Sequence, residues 1–454
     1  MNRSTTQSRF ESLLSIFTRV RAGEGRCIAA LCLQAFLLMV AYYLVRPVRE
    51  ALILTEGGAE LRSYAVGVQA LLLLAVIPMY GWLVRHAAAG QVFRRVNAFF
   101  AVNLVIFFVL AQAGCRLGFA FFVWVSLFGV MAVAQFWAFA TELFNVTSGQ
   151  RLFGVIAIGV SAGAWAGSQL SAACFEALGA GGLMLAAAAV LSASIWASGR
   201  ARALVPDGTR CEPRAAGSPP ASARWLGGFA VIAQSRYLVG IAALVVLLNW
   251  ITSTGDFVLS SWLVEHAGRE APGSETLYIG RFMGGFCATV TLAAFAIQLL
   301  LVSRIILLAG LARALLITPL AFAAGYLAIG VIPAFLMLQS VLVIQRSLDY
   351  SLLNTARHAL FLPGSRDAKY QAKTAIDTFF FRAGDLLSTL TVFVGLRMFD
   401  GGRQPFVWLV FTLSLTMALV AWLVGREYAR RRDEAQASAA GGLALRLGGA
   451  LPGQ

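Results

Sequence analysis

Lysine is almost missing from this chain. Lys369 and Lys373 are its only lysines among 36 basic residues. Histidine occurs three times, at His86, His266 and His358, far apart in sequence. H-E-x-x-H is absent, so no histidine metal centre of that kind is readable. A nucleotide-cradling P-loop ends in Gly-Lys, and neither lysine follows a glycine, which excludes that motif. The six cysteines (Cys27, Cys32, Cys115, Cys174, Cys211, Cys287) have no metal-ligand spacing and fall mostly in or beside apolar runs, where they read as small apolar residues. No enzyme, resident metal or cofactor is expected from such a chain.

What the chain has is apolar length. It is 59% hydrophobic and 13% charged, with a mean hydropathy of +0.77. That composition excludes a soluble globular domain. Stretches long enough to cross a bilayer recur at 27–45, 64–84, 96–115, 118–142, 152–176, 179–199, 238–262, 278–303, 305–329, 332–355, 373–397 and 405–425. They are uniformly apolar rather than alternating, which selects helices over a barrel. The expected fold class is therefore an all-α membrane protein of about twelve transmembrane helices.

Most of the 36 basic residues fall in loops and tails on the side of the N-terminus. The positive-inside rule then places both termini in the cytoplasm, as in a multi-pass protein of the bacterial inner membrane. The net charge of +15 needs no nucleic acid partner. It is mostly this topology signal, together with attraction to anionic lipid headgroups.

A polar stretch containing Pro206, Pro213, Pro219 and Pro220 interrupts the apolar runs midway. It divides the chain into an amphipathic N-terminal segment at 1–26, a six-helix half at 27–199, a cytoplasmic linker at 200–237, a second half at 238–428 and a disordered tail at 429–454. Six plus six is the usual build of a pseudo-symmetric transporter. Span five carries Gly159, Gly163 and Gly167, a doubled G-x-x-x-G, which reads as close helix packing or as a sliding contact.

Charges within the spans carry the functional reading, because each costs about 2.5–3.5 kcal/mol at a helix centre unless it meets a partner, water or a ligand. Span one ends in YYLVRPVREAL, with Arg46, Arg49 and Glu50; span four ends at Glu142 and span five opens at Arg151. Asp256 lies in span seven, Arg281 near the start of span eight and Arg313 in span nine. Span ten holds Arg346 and Asp349, and span eleven follows Lys369 and Lys373 with Asp377, Arg382 and Asp385. Arg346–Asp349 and Arg382–Asp385 have i,i+3 spacing and Lys373–Asp377 has i,i+4 spacing, so these pairs can neutralise themselves on one helix. No such pairing serves Arg281 or Arg313. Guanidinium groups facing a central cavity suit a multiply charged anion, whose oxygens they bind in bidentate fashion.

These residues resemble the ATP/ADP translocase family of obligate intracellular bacteria and plastids. QFWAFATELFNVTSGQRLF resembles that family's F-W-x-F-A-N-E-I-T…A-K-R-F-Y stretch, which aligns Glu142 and Arg151. YYLVRPVREAL resembles Y-x-x-L-R-x-x-K-D-x-L, with Arg49 and Glu50 at the Lys and Asp. DYSLLNTARHALFLP…KYQAKTAIDTFFFRAGD resembles K-Y-S-L-F-D-P-T-K-E-M-A-Y-I-P…K-x-K-G-K-A-A-V-D-V…R-x-G-K, matching Lys373, Asp377, Arg382 and Gly384. Asp349 and Asp385 stand where the family has Lys, which lowers the local charge by about four units and weakens the pull on a tri- or tetra-anion.

The resemblance implies a major-facilitator-like arrangement and the exchange of nucleotides, or of a related phosphorylated anion, by one half rocking against the other. In that reading Arg46, Arg49, Arg281, Arg346 and Arg382 contact the anion. Glu142 with Arg151, and Lys369 and Lys373 with Asp377, act as gates. Glu50, Asp256, Asp349 and Asp385 serve gating or coupling. A monomer is expected. One alternative is a proton-coupled major-facilitator transporter of another solute, with Asp256, Asp349, Asp377 or Asp385 as proton carriers. The other is a non-transporting membrane sensor or scaffold.

Overall fold

A computed structural model describes residues 25–86, 89–144, 146–204, 225–362, 371–398 and 402–448. The expected amphipathic segment, Arg151's side chain, Lys369 and most of the linker lie outside the described residues. The described chain is helical throughout. Its elements are α1 (Gly25–His86), α2 (Ala89–Gln112), α3 (Gly118–Leu143), α4 (Val146–Ala203), α5 (Trp225–Ala233), α6 (Arg236–Glu270) and α7 (Glu275–Ile297). They continue as α8 (Ser303–Val331), α9 (Phe335–Leu348), α10 (Asn354–Ala359), α11 (Lys373–Ala375), α12 (Phe381–Met398) and α13 (Gln404–Gly448).

Three of the longest elements are broken at glycine. Gly58 (φ 65°), Gly179 (φ 62°) and Gly310 (φ 76°) adopt left-handed backbone inside α1, α4 and α8. Only glycine enters that region without a Cβ clash. With these breaks counted, the described helices long and apolar enough to cross a membrane give eleven spans, and residues 335–359 add a twelfth helical segment. The first two are 25–56 and 59–86, not 27–45 and 64–84, so Arg62 belongs to the second span rather than to a loop. Span eight runs through a π turn, Gln298–Val302, to the break at Gly310, beyond the expected boundary at 304. The last helix continues to Gly448, through residues expected to be a disordered tail. α5 gives the end of the linker a short helix.

Two compact units emerge, residues 1–220 with 260–292, and residues 221–259 with 293–454. In the first, α1 and α4 pack backbone against backbone. A Cβ on Gly159, Gly163 or Gly167 would fall 2.7, 2.4 or 2.8 Å from the carbonyl oxygens of Cys32, Phe36 and Val40. The doubled G-x-x-x-G is thus a close-packed seam, of the kind that membrane helices use where no hydrophobic force draws them together. Ser171 donates across the same seam to the Leu44 carbonyl, and Ser194, beyond the break at Gly179, donates to the Gln34 carbonyl. Beside it, Phe93, Phe128, Phe136 and Phe139 form an aromatic core. Glu56, at the end of the first span, accepts from the amides of Leu117 and Gly118 at 2.8 Å each and so caps α3. Residues 260–292 join this unit because α7 lays Gly280 and Gly284 against Phe175 and Ala172 of α4.

In the second unit α12 meets α6 at Gly384, where a Cβ would stand 2.5 Å from the Val246 carbonyl oxygen. That contact fixes the register of the ionic side chains on both helices. α8 packs on α13, with Gly330 against Trp408 and Gly425 against Ala312. Two further π turns, Asp349–Leu353 and Ile376–Phe380, interrupt spans ten and eleven, and each carries an aspartate. Single π turns of this kind recur at functional sites.

Candidate functional site

Each unit holds its own ionic cluster. In the first, Arg46, Arg49 and Glu50 sit on one stretch of α1, and Arg62 comes from the second arm of the same element. Glu50 is buried and accepts from two guanidinium groups: Arg62 Nε at 2.6 Å on Oε2, and Arg49 Nη2 at 3.2 Å on Oε1. Arg49 Nη1 also donates to Ser126 Oγ of α3 at 2.7 Å. Both guanidinium carbons lie over the Phe122 ring, at 4.7 and 5.6 Å from its centroid. Arg46 adds a third guanidinium, donating to Tyr43 Oη at 3.2 Å and lying over that ring.

The arrangement has a chemical logic. Arg is more weakly hydrated than Lys and stacks on aromatic faces, so it suits a half-buried cation site where ammonium would not. Arg62 was not among the residues selected from sequence. The Gly57-Gly58 pair that ends the first span was its signal, because a break there starts the second span before Arg62.

The second cluster gathers residues from α6, α9, α10 and α12. Arg346 reaches across to Asp256 rather than along its own helix to Asp349, and also approaches the Thr252 carbonyl. The expected Arg346–Asp349 pair is therefore not formed. Arg382–Asp385 is formed, at 3.1 Å, and Asp385 accepts a further hydrogen bond from Ser253 Oγ at 2.7 Å. Asp377 pairs with Arg357 at 3.9 Å instead of with Lys373. That contact is longer than a hydrogen bond, and both Arg357 Nε and Asp377 Oδ1 are buried without one. Arg357 was not selected from sequence either, although it lies inside the DYSLLNTARHALFLP block, where the resembling motif has Lys.

Other expected members fall elsewhere. Arg281 pairs with Glu176 at 2.8 Å, and 56% and 66% of their side chains are exposed. Arg313 is exposed on α8. Glu142 accepts from the Gly90 amide at 3.0 Å, at the start of α2. Lys373 is half-buried. Among the described residues no group of three or more His, Cys, Asp or Glu side chains is placed to hold a metal ion.

The comparisons with known proteins bear on these clusters unequally. Residues 3–112 match the family model described as TLC ATP/ADP transporter. That stretch contains Arg46, Arg49, Glu50 and Arg62, the ionic members of the first cluster. No curated protein matches the chain. Among solved structures, the nucleoside transporter NupG shares 13% identity with a TM-score of 0.66, over 88% of this chain and 98% of that one. A bacterial homologue of the human lysosomal transporter Spinster shares 14% identity with a TM-score of 0.60, over 91% and 99%. An auto-inhibited POT family peptide transporter shares 13% with a TM-score of 0.60, over 89% and 97%. Likeness at such identities speaks to fold. The chain is a multi-pass, all-helical membrane protein with the fold of these transporters.

Proposed function

We propose that this chain is a secondary transporter, not an enzyme, and that it exchanges nucleotides or a related phosphorylated anion across a bacterial inner membrane by alternating access. The observation that carries the reading is the convergence of Arg49 and Arg62 on one buried carboxylate, with Arg46 on the same stretch of helix. Guanidinium forks held in place by Glu50, Ser126 and Phe122 are preorganised for phosphate oxygens. The family-model match over residues 3–112 supports the same substrate class. Within the second unit, Arg346 and Arg382 are anion contacts in their own right, where an anion competes with Asp256 and Asp385 for them. Glu142 and Lys373 act as gate residues, and both termini face the cytoplasm.

Purified protein in liposomes loaded with ADP tests the reading through uptake of labelled ATP, GTP, AMP and pyrophosphate. Uptake that requires internal substrate supports exchange. Uptake no greater than that of empty liposomes, for every member of the panel, rejects the nucleotide reading.

A further inference from the structure

Cys27, at the start of α1, donates to the Ala201 carbonyl at 3.7 Å and so sets the end of α4 beside it. A cavity of about 400 Å³ opens at that end of the first unit, where α2 begins and α4 finishes, with Arg94, Arg202, Ser198 and the Phe139 ring in its wall. Gly90 shapes it. A Cβ at that position would stand 2.8 Å from Arg202 Nη1 and 3.3 Å from the Phe139 ring, so the guanidinium lies in the space that the missing side chain leaves. Among the described residues neither Arg94 nor Arg202 has an ion pair or a hydrogen bond. The nearby acid, Glu142, is turned onto the Gly90 amide at 3.0 Å rather than onto either arginine. The cavity is remote from the ionic cluster on α1, because Arg46 lies about 28 Å along the helix from Cys27 at 1.5 Å per residue.

The surroundings of the cavity fix its depth. Trp196, on α4 shortly before Arg202, is 62% exposed, and the Arg200 guanidinium carbon lies 5.1 Å over its ring. Exposed Trp paired with Arg belongs to the layer where lipid headgroups meet hydrocarbon. Beyond Arg94 the exposed side chains Val102, Val105 and Val109 follow along α2, within about 80° of its direction at 100° per residue. They form an apolar track leading away from the two cations. A soluble anion has no use for that track, whereas a phospholipid fits both parts. The cations also exceed what the helix ends call for. The dipole of α4 favours Arg202 in its last turn, but the dipole of α2 disfavours Arg94 near its start.

We propose that this cavity binds the phosphate group of an anionic phospholipid, with Arg94 and Arg202 as its contacts and an acyl chain along the valines of α2. Guanidinium forks match the two free oxygens of a phosphodiester. Basic recesses between helices at the cytoplasmic face suit such headgroups. A lipid held there ties the start of α2 to the end of α4, next to the Gly90–Glu142 contact. The site does not depend on what the protein transports.

Native mass spectrometry of the full-length protein, released from detergent after titration with dioleoyl phosphatidylglycerol or dioleoyl phosphatidylcholine, reads the affinity of the first lipid bound. The wild type is expected to prefer phosphatidylglycerol by about tenfold or more, and to keep it in excess inorganic phosphate. In Arg94→Gln/Arg202→Gln the ratio of the two affinities falls to about one. Arg202→Gln alone lowers it by about threefold or more, which keeps the proposal testable if the double variant does not fold. Arg95→Gln removes an exposed cation of the same turn that does not line the cavity, and keeps the wild-type ratio. A wild-type ratio near one overturns the proposal, as does a preference that survives both arginine substitutions. An Arg95→Gln protein that loses as much as the double variant also overturns it, because the preference then reports surface charge and not a site. Inorganic phosphate that displaces phosphatidylglycerol assigns the cavity to a free anion and overturns the lipid occupant.

Discussion

Replacing Glu50 with Gln tests the first cluster by a sign change. The residue is 3% exposed and holds Arg62 at 2.6 Å and Arg49 at 3.2 Å. At an effective dielectric constant of about 20, each contact is worth about 5 kcal/mol of attraction before desolvation is subtracted. Removing one partner of a buried ion pair costs about 3–5 kcal/mol, because the other charge stays buried. The Glu50→Gln protein is therefore expected to melt in detergent about three to five degrees below the wild type. The same substitution leaves two guanidinium groups over Phe122 without their shared carboxylate. An anion with phosphate oxygens can replace it, so ATP or pyrophosphate stabilises the variant more than it stabilises the wild type. Ligand at about 100 times its dissociation constant contributes about 2.7 kcal/mol. Thermal unfolding with and without ligand measures both effects. A Glu50→Gln protein that melts like the wild type, or one whose ligand shift is smaller, refutes the reasoning.

Four more outcomes follow from particular contacts. Gly163→Val drives its side chain into the Phe36 carbonyl, where even a Cβ would sit at 2.4 Å, and should abolish monodisperse folded protein on size exclusion; Gly154→Ala, with nothing within 4 Å, should cost nothing measurable. Arg281→Ala removes one half of an exposed pair and should lower stability by less than about 1 kcal/mol, whereas Arg346→Ala removes the less exposed ion pair with Asp256 and should cost more, about 3 kcal/mol. Glu56→Ala uncaps α3 and should lower stability by about 1 kcal/mol in a melting experiment. Arg357→Gln removes the long contact to Asp377 and should lower stability less than Arg346→Ala does in the same melting experiment.

The multi-span helical fold was legible because hydropathy over twenty residues is a strong signal, and because every backbone polar group in lipid has to be satisfied within its own helix. The doubled G-x-x-x-G was legible for a related reason. Its spacing leaves one helix face without side chains, and that face meets the backbone of α1. Boundaries were less so. Arg62 falls between the apolar runs 27–45 and 64–84 because charged and glycine residues depress the apolar signal on both sides of the break at Gly58, although the helix resumes there. The second cluster was legible in its residue types and not in its pairings. Helical spacing favours Arg346 with Asp349 and Lys373 with Asp377, but tertiary neighbours Asp256 and Arg357 take their places. Nothing in the sequence announces a π turn, and two of the turns that interrupt ideal spacing lie in those spans. Arg281 illustrates the limit of composition as a guide, since a charge near a span end is as compatible with an exposed pair to Glu176 as with a binding site.

The central claim is that the arginines of the first cluster hold a phosphorylated anion in transit. Counter-exchange of labelled ATP against internal ADP, measured side by side for the wild type and for Arg62→Gln in liposomes with matched protein content, tests it most directly. The account predicts exchange by the wild type and at least a tenfold rise in KM for the variant. Wild-type liposomes that exchange nothing, or a variant whose KM equals that of the wild type, would contradict it.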